Sequence, residues 1–296
     1  MSVQWAIAGG SIATLGILSN SFSISYFISQ EKSTLPGRQF ILLNTLDLAM
    51  CTCSSFALTS HVIWDYDYDK NVILLYIMMV FVCFCQFLVE ATAFATCVLS
   101  VSRCIKLWFP FYEIKAKLLI AFTAIFFSYL SVREATFFYL FHLNAQDSTH
   151  MGWTHFDSVV AYLVLGSMVA IMASVAVSNI LCATLLISNK IAPTSNRGST
   201  NTNIEATITI IIVSVLFLFF NMTNILTAWV EHVPEGLFVF GETLSIALNS
   251  ALNPVVFFLR KRAMRQYFKK IFVGGERNMV HCAPINNNET IASNSI

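Results

Sequence analysis

The stretch Asn249-Ser250-Ala251-Leu252-Asn253-Pro254-Val255-Val256-Phe257-Phe258-Leu259, running straight into Arg260-Lys261-Arg262, decides how this chain folds. An Asn-Pro pair sits near the end of an apolar segment, and the segment stops at a basic stretch made of Arg260, Lys261, Arg262, Arg265, Lys269 and Lys270. Reading back toward the N-terminus, Arg103 ends another apolar segment within Ser102-Arg103-Cys104, and Pro110 follows seven residues later. Both landmarks recur at the same kind of place, where apolar chain meets charge.

The composition sets the solvent. Of 296 residues 56% are hydrophobic and only 11% charged, and the mean hydropathy is +0.69. A soluble domain of this length is far more polar. A helix rises about 1.5 Å per residue, so about 20 apolar residues cross the hydrocarbon layer. Seven segments qualify: 3–29, 39–63, 71–105, 116–141, 158–188, 206–230 and 236–260. They are apolar on every face and show no alternating ten-residue pattern, which excludes a barrel of strands. The expectation is an all-α membrane protein, a bundle of seven transmembrane helices. The first segment has no basic residue before it, so it reads as an anchor rather than a cleaved signal.

The net charge of +1 carries no message, but its distribution does. Lys32, Arg38, Lys106, Lys115, Lys117, Lys190, Arg197 and the basic stretch fall on one side of the seven segments. Asp65, Asp67, Asp69, Asp147, Asp157, Glu231 and Glu235 fall on the other, with Lys70 as the one clear base. The positive-inside bias then puts the N-terminus outside and the C-terminus in the cytosol, as seven crossings require.

None of the eight cysteines lies in an outer loop, and no CxxC spacing exists, so neither an outer disulfide nor a thiolate metal framework is expected. The inner connection from Asn189 to Asn203 is rich in Ser, Thr, Asn and Gly and reads as a flexible tether. Residues 261–272 place Met264, Tyr267, Phe268, Ile271 and Phe272 on one helical side, the pattern of a short amphipathic helix on the inner membrane face. One bundle over 1–272 is followed by a polar, Asn-rich tail, 273–296, expected to be disordered.

On these landmarks the chain resembles the rhodopsin-like G-protein-coupled receptors over residues 10–272. Asn20 matches the family's helix-one Asn and Asp47 its helix-two Asp. Arg103 and Pro110 match an Arg and Pro spaced seven apart, and Asn249, Ser250, Asn253 and Pro254 match the helix-seven motif. The run Phe109-Pro110-Phe111-Tyr112 resembles invertebrate orphan and chemosensory branches. There are departures: Ser102 and Cys104 flank the Arg where the family has an acid and a Tyr. Phe257 replaces a Tyr, and Asn221 and Thr223 stand where segment six has Trp and Pro.

The resemblance implies a plasma-membrane receptor that passes an extracellular chemosensory or peptide signal to heterotrimeric G proteins. Arg103 and Pro110 would then serve coupling. Asn20, Asp47, Thr92, Asn249, Ser250 and Asn253 would form a polar switch network able to take sodium or a proton. A purely structural hydrogen-bond network fits the same residues, and a snorkelling side chain fits Arg103. With no acid at 102, Glu205 is a candidate partner for that Arg.

Charges within spans are expensive and face the bundle interior or one another. Glu90, Arg133, Glu134 and Glu242 are such charges; Glu90 lies thirteen residues before Arg103, about 20 Å along the helix. Two readings stay open: a Glu90–Arg133 pair that fixes packing, or a ligand site lined by Cys85, Gln86, Glu90, Arg133 and Glu242 with Asn221 and Thr223 at its floor. Cys85 and Ala247 occupy the places of the amine-binding Asp and the retinal Lys in that family, so neither chemistry is expected. No Gly-x-Ser-x-Gly or His-Glu-x-x-His is present, so an enzyme is not expected, nor is a nucleic-acid partner. The alternative from another class is a transporter or channel with a polar path such as Glu90–Asp47–Arg103, although paired Gly/Pro interruptions are missing.

Overall fold

The computed structural model describes residues 3–63, 72–109, 116–146, 153–191, 197–229 and 235–272. They form eight helices: α1 (Val3–Gln30), α2 (Leu35–Ile63), α3 (Val72–Trp108), α4 (Ala116–Gln146), α5 (Trp153–Ile191), α6 (Arg197–Trp229), α7 (Glu235–Arg260) and α8 (Arg262–Phe272). No strand occurs among the described residues. The fold is all-α, as the sequence indicates. Pro110, the outer loop before Trp153 and the tail 273–296 lie outside the described residues, as do the side chains of Glu242 and Thr223.

Among the described residues four helices are long and apolar enough to cross a membrane, over Ile7–Gln30, Cys83–Trp108, Gly166–Ser188 and Glu205–Met222. Burial runs opposite to that of a soluble protein. Leu15, Ile125 and Phe219 are each more than 60% exposed, while Asn20, Asp47, Glu90 and Ser100 are wholly buried. Polar groups inside and aliphatic rows outside suit a solvent of lipid tails. Together these features describe a multi-pass membrane protein.

Three helix starts lie four or more residues before the sequence reading: α5 begins at Trp153 rather than 158, and the early starts of α2 and α6 have a physical cause. α2 begins at Leu35 rather than 39 because Thr34 caps it: Thr34 Oγ1 accepts the Gly37 N–H at 3.1 Å. Gly37 is required there, since a Cβ would run into the Glu31 carbonyl. α6 begins at Arg197, so residues 197–203 of the expected tether are helical, and α5 likewise extends to Ile191. Adding a turn to a formed helix gains a hydrogen bond per residue without a new nucleus, which outweighs the poor helix propensity of Ser, Thr and Asn.

α3 is the central helix, packed against α2, α4, α5 and α6, while α1 packs on α2 and α7. α8 is the most amphipathic helix and folds back onto α1, where Tyr267, Phe268 and Phe272 surround Phe22 with ring centroids 5.4 to 6.2 Å apart. Met264, on α8 itself, is its buried residue.

Candidate functional site

A buried polar node joins α1, α2 and α7. Pro254 has no N–H, so the carbonyl four residues earlier, that of Ser250, has no helical donor. Asn20 supplies one: its Nδ2 donates to the Ser250 carbonyl at 3.1 Å and to the Gly16 carbonyl at 2.9 Å. One turn away, Asn253 Nδ2 donates to Asp47 Oδ2 at 2.8 Å. Every residue in these contacts is inside the bundle, and Asp47 and Asn20 have no exposure at all.

Several oxygens in this region are left without a partner. Asp47 Oδ1, Asn20 Oδ1, Asn249 Oδ1, Asn253 Oδ1 and Thr92 Oγ1 are buried without a hydrogen-bond partner. Buried polar atoms are normally satisfied, so each of these oxygens can still accept from a donor or serve a cation. One carboxylate with neutral amide and hydroxyl oxygens is a hard oxygen set of low charge. It suits a monovalent cation, and sodium fits the residues present. Beside the node, Thr92, Asn221, Ser245, Asn249 and Ser250 line a pocket walled by Met50, Val89, Phe217, Phe220 and Ile246. Its volume of about 10 Å³ is close to what one water needs.

A second polar assembly lies between α3, α4 and α5. Arg133 grips Glu90 with both arms, Nη1 to Oε2 at 2.8 Å and Nη2 to Oε1 at 2.6 Å. Gln86 Nε2 donates to Oε1 at 3.1 Å and Ser167 Oγ to Oε2 at 3.2 Å. Arg133 also holds Glu134, through Nε at 3.1 Å and through Nη2. Both Glu90 oxygens therefore receive two protein donors each. The structure brings Glu90, Arg133 and Gln86 together but leaves Asn221 elsewhere, in the pocket beside the node. Cys85 packs against the apolar core. Glu134 and Ser167 were the members that the sequence did not assign; a second acid next to Arg133 was the available signal for the first.

Arg103 sits near the C-terminal end of α3, 8% exposed, and its Nε has no hydrogen-bond partner. Glu205 is exposed, and no ion pair joins it to Arg103. One turn above, Ser100 Oγ meets Ser214 Oγ at 2.8 Å, tying α3 to α6.

No protein-family model matches the chain, and none of the curated proteins matches it significantly.

Proposed function

We propose that this chain is a seven-helix receptor of the rhodopsin-like kind, in which α1–α7 cross the plasma membrane and α8 lies along the inner face. In this reading the N-terminus is outside, and an extracellular ligand is signalled to a heterotrimeric G protein. The supporting observation is the convergence of Asn20, Asp47, Ser250, Asn253 and Pro254, from three helices distant in sequence, on one buried node. These are the residues on which the resemblance rests, and their contacts are reciprocal: the proline frees a carbonyl and the asparagine occupies it.

The node supports a mechanism. A two-state bundle responds to a ligand that binds one state better. A centre with unpartnered oxygens, filled by a sodium ion or a proton in one state, supplies such a difference between states. The pocket at Asn221, Thr92 and Ser245 adjoins that centre, and a ligand group reaching it from outside would change how α6 and α7 pack. Arg103, buried and free of an ion pair with Glu205, would then meet the G protein at the inner end.

Purified full-length chain in nanodiscs, challenged with a ligand library and a panel of Gα subunits, tests the proposal by nucleotide exchange. Ligand-stimulated exchange on at least one Gα class is the expected outcome. Ion or solute flux in proteoliposomes, with no Gα response, would instead favour the transporter class. Tags at each end, read on intact and permeabilised cells, test the orientation: an accessible C-terminal tag on intact cells contradicts it.

A further inference from the structure

Arg262, Arg265, Lys269 and Lys270 lie on α8, which carries no acid in its 11 residues, and Lys261 comes just before it. These cations divide by what they touch. Lys261 is engaged: Glu31, in the turn between α1 and α2, holds its ammonium with both carboxylate oxygens, at 2.7 and 2.8 Å. That ammonium also stands over the rings of Phe27 and Phe40, 4.9 and 5.3 Å from their centroids. Arg265 is engaged too, since its Nη1 donates to the Phe258 carbonyl at 3.3 Å and to that of Leu259. The last carbonyls of a helix have no helical donor, so Arg265 closes the end of α7. Arg262, Lys269 and Lys270 have no such task. All three are exposed, and among the described residues no ion pair reaches them.

Helical spacing puts these three on one side. Seven residues make nearly two turns, so Lys269 stands over Arg262 with Lys270 beside it. The opposite side is already covered. Met264 is buried there, Tyr267 Oη lies 3.1 Å from Ser25 Oγ, and Tyr267, Phe268 and Phe272 surround Phe22. Phe22 and Ser25 belong to the span Ile7–Gln30, so α8 leans on a helix that crosses the membrane. Past that contact Ile271 and Phe272 are 51% and 64% exposed, and acyl chains suit them better than water. A protein that grips an amphipathic helix takes it by the apolar face, and on α8 that face is held by α1. The face left open is the charged one.

We propose that Arg262, Lys269 and Lys270 form a docking surface for anionic phospholipid headgroups, on the membrane face along which α8 lies. Their charge complements the headgroup phosphates, and their flexible apolar stems let the charged ends reach the phosphate level while the helix stays at the acyl boundary. Lys261 and Arg265 take no part, because each is spent on holding the α7–α8 joint together. The surface goes beyond the receptor reading and does not depend on G-protein coupling.

The full-length chain in nanodiscs of phosphatidylcholine and phosphatidylserine in equal parts tests this. Native mass spectrometry counts the molecules of each lipid that stay bound, and hydrogen exchange over 262–272 is compared with discs of phosphatidylcholine alone. Wild type is expected to retain phosphatidylserine preferentially and to exchange more slowly in the mixed discs. Arg262→Gln, Lys269→Gln and Lys270→Gln should each weaken the preference about fivefold at low salt. The triple variant should lose it with an unchanged melting temperature, and raised salt should weaken wild type in the same direction. Arg262→Lys combined with Lys269→Arg and Lys270→Arg should keep it. Lys261→Met should loosen the joint and leave the preference in place. No preference in wild type, or a full one in the triple variant, overturns the proposal. So does its loss in Lys261→Met, which would mean that total charge is read and not this face. Calcium-loaded calmodulin binding to the discs through the same three residues would make the face a protein site and also overturn it. No arm uses a G protein, so a failure here and a failure of the receptor reading are told apart.

Discussion

Glu90 and Asp47 are both carboxylates with no exposure, and their surroundings treat them in opposite ways. Glu90 is saturated, with two donors on each oxygen from Arg133, Gln86 and Ser167. Asp47 is served less completely: Asn253 donates to one oxygen at 2.8 Å, and the other has no hydrogen-bond partner. A buried charge that is fully paired has nothing to gain from a visitor, so its use is to fix α4 and α5 against α3. A buried charge with an unpartnered oxygen is stabilised by whatever brings donors or positive charge, and that makes it a place where occupancy changes structure. The distinction separates a packing device from a candidate switch without reference to any relative.

The largest expected effect breaks the saturated assembly. Removing one partner of a buried ion pair costs about 3–5 kcal/mol, because the other charge is stranded. Glu90→Gln should therefore unfold the chain or lower its melting temperature sharply in detergent. A variant with near-normal thermal stability and a lost ligand response would instead return Glu90 to a ligand site and erase the comparison.

A middle-sized effect concerns the carbonyl that Pro254 frees. Asn20→Leu leaves the Ser250 carbonyl without its donor, at a cost of roughly 1–3 kcal/mol. Pro254→Ala restores the helical N–H, so the double variant should be more stable than Asn20→Leu alone. A double-mutant cycle with no coupling between the two positions would show that Asn20 serves another purpose.

Asp47→Asn should have a smaller effect on stability, within about 1 kcal/mol, because the new amide supplies a donor where oxygens lack one. Ligand response should nonetheless be lost, along with any dependence on sodium. Destabilisation as large as that of Glu90→Gln would mean that both carboxylates are packing devices.

The smallest effect is expected at the α3–α6 contact. Ser214→Ala removes one neutral hydrogen bond, about 1 kcal/mol, and should shift thermal stability only slightly. A loss of several times that size would place Ser100 and Ser214 in a wider network.

Much of this was legible in the sequence because the cost of polar groups in lipid makes each one informative. Glu90 and Arg133, expensive alone, were expected either to pair or to serve a ligand site, and Gln86 one turn away was expected to face the same space. Asn20 and Asp47 were legible through the spacing of landmarks, although the reason Asn20 is needed follows from Pro254 and the carbonyl four residues before it. Glu31 was not legible. It lies in the turn between α1 and α2 beside Lys32, where an acid is affordable and raises no alarm, and its contact comes from Lys261 arriving from 230 residues away. The start of α6 was missed because propensity, summed over Ser, Thr and Asn, argues for a loop, while an existing helix lengthens cheaply. Side-chain pairing across helices is set by packing, which periodicity describes only for each helix by itself.

The most direct test of the central claim is nucleotide exchange on a panel of Gα subunits by wild type and Arg103→Ala, at matched amounts in nanodiscs. The account predicts that wild type accelerates exchange on at least one Gα class, and that Arg103→Ala loses this while keeping its thermal stability. Undiminished exchange by Arg103→Ala, or none from wild type across the panel and the ligand library, would contradict it.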